Sequence, residues 1–235
     1  MPAASAVLFD YGRTLVTFDY PKAELREVVE RFRPRIADVT GLAAPAADEI
    51  IERVLLPLEE VIENPSEDEV PYFDTFTAAW RNAGLELPRD LLFEILDAEQ
   101  RVWDEAARVV DGAVWALEWL GKRGVKRAIC SNAPFPPAMM RRQVETNGLA
   151  RLVDAVVFSS EVGRRKPALE LYTATLDAVG VRAGDALFVG DRVREDYDGP
   201  RAAGMRAVIC TAHAVDRPRS EVPTIESLKE LPTVL

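Results

Sequence analysis

Four apolar stretches of this 235-residue chain end in polar side chains able to do chemistry. "AVLFD" closes on Asp10, "RAICSN" on Ser131 and Asn132, "DAVVFSS" on Ser159 and Ser160, and "ALFVGD" on Asp191. In open α/β sheets ligands bind beyond the carboxyl ends of the strands, so these ends are expected to face one crevice. Carboxylates, hydroxyls and an amide gathered there could attack, ligate or hydrogen-bond a ligand. The chain has a single histidine, His213, with no G-x-S-x-G turn to accompany it. Histidine-assisted nucleophilic catalysis and multi-histidine metal sites are therefore disfavoured, and His213 is expected to be structural or solvated.

The elements that must position these residues are legible from periodicity. Runs at 6–11, 127–132, 154–160, 186–191 and 206–211 are nearly continuous in apolar residues, as strands covered on both faces are. Helical spacing separates the last four. Val114, Leu117 and Leu120 share one face, as do Leu169, Tyr172, Leu176 and Val179, and both patterns stop at glycine. Such alternation implies a parallel sheet with right-handed crossovers.

Residues 17–108 break the alternation. Leu25, Val28, Val29, Phe32 and Ile36 keep helical spacing, and so do Ile50, Ile51, Val54, Leu55, Leu58, Val61 and Ile62. Further helices are expected over 71–83 and 88–108, with Trp80 and Trp103 as core residues. Pro34 and Pro57 are expected at kinks or boundaries, and "ENPSEDEVP" and "GLELP" as loops. The expected organisation is an α/β core of residues 1–16 and 109–235 carrying an all-helical insert, 17–108.

Lys plus Arg number 29 and Asp plus Glu 39, a formal charge of −10. A net-acidic surface disfavours nucleic acid and anionic membranes as partners, yet leaves room for a small phosphorylated ligand in a locally basic pocket. No apolar run approaches the roughly 20 residues that span a bilayer. The stretch "MPAASAVLFD" has no basic region and too short an apolar run for a signal peptide. Cys130 and Cys210 each close an apolar run, as buried thiols in a reducing compartment would, so a cytoplasmic location is expected. No heptad pattern demands association, which leaves monomer or homodimer.

Four ordered segments carry a family resemblance. "VLFDYGRTL", "AICSN", "GRRKP" and "FVGDRVREDYDGPRAAGM" resemble, in order, the motifs of the haloacid dehalogenase superfamily of aspartate-nucleophile hydrolases. The resemblance covers the whole chain. It implies a Rossmann-like parallel sheet flanked by helices, with the helical insert as a cap domain. It further implies Asp10 as nucleophile and Thr14 at the usual threonine as a substrate-binding residue. Ser131, the backbone N–H of Asn132 and Lys166 would meet the phosphoryl group. Mg²⁺ would be held by Asp10, the Gly12 carbonyl and Asp191, with Asp196 as a further ligand or outer acceptor.

The chemistry is coherent with that expectation. A carboxylate attacking phosphorus forms an acyl-phosphate that water opens. Its obstacle is repulsion, about 4 kcal/mol for one like-charge pair at 4 Å and an effective dielectric of 20. A hard divalent cation cancels it. The expected function is Mg²⁺-dependent hydrolysis of a small phosphorylated metabolite through an aspartyl-phosphate.

One position departs from the pattern. Two residues after the nucleophile the family's phosphatases carry an aspartate that protonates the leaving group; here that residue is Gly12, followed by Arg13. A 2-haloacid dehalogenase, whose halide needs no proton, and a weakly catalytic phosphate-binding protein are the alternatives. Retention of both Asp191 and Asp196 favours the phosphatase, because metal-free dehalogenation has no need of paired acids.

Overall fold

A computed structural model describes residues 4–63, 65–215 and 217–235. Asn64, in the loop expected at 63–71, Asp216, and Met1–Ala3 at the head of the stretch read for a leader, lie outside the described residues.

The main sheet is parallel throughout. Its strands are β1 (Ala6–Phe9), β4 (Lys126–Ser131), β5 (Ala155–Phe158), β6 (Ala186–Gly190), β7 (Arg206–Cys210) and β8 (Thr224–Ile225), in the spatial order β5-β4-β1-β6-β7-β8. The five expected strands are all present. The short β8 was not anticipated, its two residues being too few to show a period. β1 is central and fully buried, paired with β4 on one side and β6 on the other. The chain fills one side of β1 before crossing to the other, which makes the edge between β1, β4 and β6 a topological switch point.

Helices cover both faces. α6 (Ala113–Gly121) buries Ala113, Ala116, Leu117 and Leu120. α7 (Pro137–Thr146) buries Met139, Met140, Gln143 and Val144, α8 (Ser159–Val162) is a single turn after β5, and α9 (Leu169–Val179) buries Leu171, Tyr172, Thr175 and Leu176. The faces differ from expectation in the first turn of two helices. Val114 is 40% and Leu169 50% exposed, because Ala113 and Leu171 take the inward positions and rotate the buried stripe.

The inserted residues form α1 (Lys22–Thr40), α2 (Ala47–Ile50), α3 (Leu56–Ile62), α4 (Tyr72–Asn82) and α5 (Arg89–Ala106). α1 keeps the expected stripe of Leu25, Val28, Val29, Phe32 and Ile36 inside and runs through Pro34. Between α2 and α3 the backbone widens into a π turn over Ile51–Leu55, directly ahead of Pro57. Proline offers no N–H to the preceding turn, and widening accommodates the lost bond. These helices enclose their own apolar cluster around Phe76, Trp80, Ile36, Ile51 and Ile95, which also takes in Met139 of α7.

Two short strands at the root of the insert were also not anticipated. β2 (Val16–Phe18) pairs antiparallel with β3 (Ala107–Val109), Val16 opposite Val109 and Phe18 opposite Ala107. The pairing brings the entry and exit of the helical segment together beside Asp10. Contact between insert and core is polar as well: Arg142 of α7 donates to Asp104 at 2.6 Å and to Asp97 at 2.5 Å on α5.

Candidate active site

β1 delivers Asp10 to the sheet edge. The N–H of Asp10 still donates to the Val189 carbonyl at 2.9 Å, so strand geometry holds for one residue beyond β1. The chain then turns sharply. Leu15 and Val16 both donate to the Tyr11 carbonyl, at 2.9 and 3.0 Å, and Arg13 donates to the Val16 carbonyl at 2.6 Å. None of these bonds uses the Gly12 carbonyl. Arg13 takes the left-handed conformation, φ 61°, which a side chain enters at some cost.

Two neighbouring strands and one loop converge on Asp10. Ser131, the last residue of β4, donates its hydroxyl to Asp10 Oδ1 at 3.0 Å. Lys166 Nζ donates to the same Oδ1 at 2.7 Å and to Asp196 Oδ1 at 2.7 Å. The Lys166 backbone is clasped by Asn132: its N–H donates to Asn132 Oδ1 at 2.7 Å and its carbonyl accepts from Nδ2 at 3.3 Å. Asp196 Oδ2 accepts the N–H groups of Asp191 and Arg192, at 3.0 and 2.9 Å, and so shapes the turn after β6. Gly190 is required there. A Cβ at that position would lie 2.2 Å from Asp196 Cγ.

The electrostatics are unbalanced toward negative charge. Asp10, Asp191 and Asp196 are buried, and one carboxylate oxygen from each lies within 4.8 Å of the others. Burial, then the carboxylates of Asp10 and Asp196, pushes Asp191 up to about 8. Burial is also the main cause raising Asp196, to about 6, opposed by Lys166. For Lys166 burial works against the charge, yet Asp10 and Asp196 outweigh it and hold the ammonium well above its usual range. Lys166 pairs with two of the three carboxylates, Arg192 and Lys166 only moderate Asp191, and Asp191 Oδ2 is buried without a partner among the described residues. A divalent cation fits this donor set: hard oxygens, an excess negative charge and an orphaned carboxylate oxygen.

A cavity of about 340 Å³ opens over these groups, lined by Asp10, Gly12, Arg13, Ser131, Asn132, Lys166, Asp191 and Asp196 on the sheet side. Thr14 does not line it. The turn that carries Arg13 outward drives Thr14 inward, where it is fully buried with an unpartnered hydroxyl, and this corrects the expectation that Thr14 contacts substrate. Ser159 and Ser160 are also outside it, since β5 lies at the sheet edge; Ser159 Oγ instead accepts the Ala133 N–H at 2.7 Å. His213 is exposed, away from the cavity.

Several lining residues escaped the sequence reading. Trp103 of α5 packs, partly buried, against the apolar cluster of the helical segment and also lines the cavity, whereas Trp80 is fully core as expected. Phe18, Tyr20, Glu59, Gln100 and Gln143 complete the far wall. Only their position on amphipathic helices, in a short strand or, for Tyr20, in the link that follows it marks them in the sequence. The clamp that holds the insert against the loops of the site was equally silent. Arg192 donates to Glu63 at 2.7 and 3.0 Å, and Arg165 donates to the Ile62 carbonyl at 2.6 Å.

Comparison with known proteins agrees with this geometry. Residues 4–204 match the family model described as "Hydrolase: haloacid dehalogenase-like hydrolase". The chain is similar to the ribulose-1,5-bisphosphate 5-phosphatase of Halopiger xanaduensis, 34% identical over 113 residues, which are 48% of this chain and 46% of that protein. It thus spans about half the length of that relative. A phosphatase of Mycobacterium tuberculosis is 28% identical over 217 residues, covering 87% of this chain and 86% of the other. Among solved structures, the 2-haloacid dehalogenase of Pseudomonas syringae superposes with a TM-score of 0.70 at 21% identity, over 100% of this chain and 98% of that one, and shares its fold. Sheet order, converging motifs and the match over most of its length lead to one conclusion: the chain belongs to the haloacid dehalogenase-like hydrolases.

Proposed function

We propose that the chain is a Mg²⁺-dependent phosphatase that hydrolyses a small phosphomonoester through an aspartyl-phosphate. The observation that carries the reading is the surplus of buried carboxylate beside Asp10, with Asp191 Oδ2 left unpartnered. Asp10 and Asp191 would hold the ion together with the Gly12 carbonyl. Asp196, both of whose oxygens have protein partners, would act from the outer shell. When bound, Mg²⁺ supplies charge neutralisation between the nucleophile and the phosphoryl oxygens.

The chain's own residues would do the rest. Ser131 and Lys166 fix Asp10 Oδ1, and Asp10, which lines the cavity, would attack phosphorus through its other oxygen. The Asp10–phosphorus bond would form as the bond from phosphorus to the leaving oxygen breaks, the leaving oxygen taking its proton from solvent water. Lys166 neutralises the nucleophile and the charge that spreads on the phosphoryl oxygens. Water then attacks phosphorus and releases phosphate, restoring the Asp10 carboxylate. The wall contributed by the insert would act as a cap that excludes bulk water. Both cysteines are free and buried, which supports the cytoplasmic reading.

Gly12 favours a second reading, dehalogenation, because a departing halide needs no proton. One experiment separates the two. Phosphate release from p-nitrophenyl phosphate that requires Mg²⁺ and is abolished by Asp10→Asn supports the phosphatase. Chloride release from 2-chloropropionate that persists in EDTA overturns it.

A further inference from the structure

The wall that the helical segment contributes to the cavity carries a carboxylate and three aromatic rings. Glu59 of α3 lines it with a half-buried carboxylate that enters no described hydrogen bond or ion pair. Burial, and then Glu63, raises its pKa. Gln143 and Gln100 also line the cavity, each only 2% exposed, and the Oε1 atom of each is buried without a donor. Those two oxygens are closed to the cavity space, so they lend this wall partial negative charge rather than a contact with a ligand. Beside them stands an aromatic group. Trp103 makes edge contacts with Tyr20 and Phe18, ring centroids 5.6 and 6.1 Å apart, and all three rings line the cavity.

Most of the cations around the cavity are already committed. Lys166 is held by Asp10 and Asp196, Arg192 by Glu63, and Arg165 by the Ile62 carbonyl and Glu69. Arg13, which is exposed and enters no described ion pair, lines the cavity from the turn directly after Gly12. The far wall therefore combines the Glu59 carboxylate, outside any described ion pair, with π faces that attract cations.

We infer that this wall is a subsite for an ammonium group, and that the preferred substrates are phosphomonoesters of amino alcohols. The inference rests on the phosphatase reading for its phosphoryl end. It disfavours leaving groups that carry a second anion, because Glu59 would repel them.

The test uses binding, so that it does not depend on turnover. Affinities of the Asp10→Asn protein in Mg²⁺ are measured by calorimetry for phosphocholine, glycerol 3-phosphate and phosphoglycolate, whose remote ends are cationic, neutral and anionic. Phosphocholine is expected to bind about tenfold tighter than glycerol 3-phosphate, the scale of a partly desolvated cation–π contact, with phosphoglycolate weakest. Adding Glu59→Gln should shrink that ratio severalfold, while Glu59→Asp, which keeps the charge, should retain most of it. Equal binding of the three, tightest binding of phosphoglycolate, binding of none, or a ratio indifferent to Glu59→Gln each overturns the subsite. Charge preference in a wild-type protein that releases no phosphate from p-nitrophenyl phosphate would overturn the catalytic reading and uphold the subsite.

Discussion

Replacing Gly12 by aspartate would restore a proton donor where this chain has none. The backbone permits it: Gly12 is not among the glycines with positive φ, and a Cβ there would meet only Phe18 Cε2, at 3.8 Å, an ordinary contact. Gly12 lines the cavity beside Asp10, so the new carboxyl enters the space where a leaving group must sit. A positioned general acid contributes a factor of about 10² to 10⁴, or roughly 3–5 kcal/mol of barrier. The gain should be selective. An alkyl phosphate needs its leaving oxygen protonated, whereas p-nitrophenolate departs without help. Phosphate release from glycerol 3-phosphate by Gly12→Asp should therefore rise about 100-fold or more, with a change of less than about fivefold on p-nitrophenyl phosphate. The variant also adds a carboxylate to a cluster already in excess, at about 4 kcal/mol for a like-charge pair at 4 Å and an effective dielectric of 20, so it should be less stable in EDTA than in Mg²⁺. Equal acceleration of both substrates, or none of either, would refute the account of Gly12 as the missing acid.

Three further substitutions probe the site and its supports. Lys166→Met removes the ammonium shared by Asp10 and Asp196; kcat should fall at least 10³-fold and unfolding free energy in urea by about 3–5 kcal/mol, and a loss under tenfold would exclude Lys166 from the chemistry. Glu99, buried on α5, is pushed up by burial from 4.5 to about 8. Its folded-state pKa is raised, so its contribution is present below pH 4.5 and is lost as pH climbs toward 8. Glu99→Gln should accordingly gain about 3 kcal/mol at pH 7 and little at pH 4.5, and parallel pH–stability curves for variant and wild type would contradict the assignment. Arg13 at φ 61° should prefer glycine: Arg13→Gly is expected to exceed Arg13→Ala in stability by about 1 kcal/mol, and the reverse order would show that the turn is unstrained.

Much of the frame was legible because buried parallel strands leave a signal independent of their surroundings. Both faces of β1, β4, β6 and β7 are covered, so each reads as a short apolar run, and the polar residue that ends it marks the sheet edge. β2, β3 and β8 were invisible because two or three residues carry no period, and their pairing depends on where the rest of the chain brings them. The inward faces of α6 and α9 were read slightly out of phase, since apolar spacing cannot tell Val114 from Ala113 until the sheet beneath selects one.

The candidate site divides along the same line. Asp10, Lys166 and Asp191 stand out in sequence by residue type, each a charge set against an apolar run or a tight turn, and chain order alone relates them to a known arrangement. Type and order could not show that Thr14 turns inward, that the Asn132 side chain clasps the Lys166 backbone, or that Asp196 has no free oxygen. The far wall is more extreme. Glu59, Gln100, Trp103 and Gln143 lie on three helices, Gln100 and Trp103 together on α5, whose patterns specify only which side is buried, and nothing local says that they share a cavity. Sequence determined the class of chemistry, because carboxylates and a lysine of fixed order must stand at particular strand ends and in one loop. Tertiary structure alone decided what the cavity can accept, because its lining is assembled from side chains far apart in the chain and its charge depends on which of them are already paired.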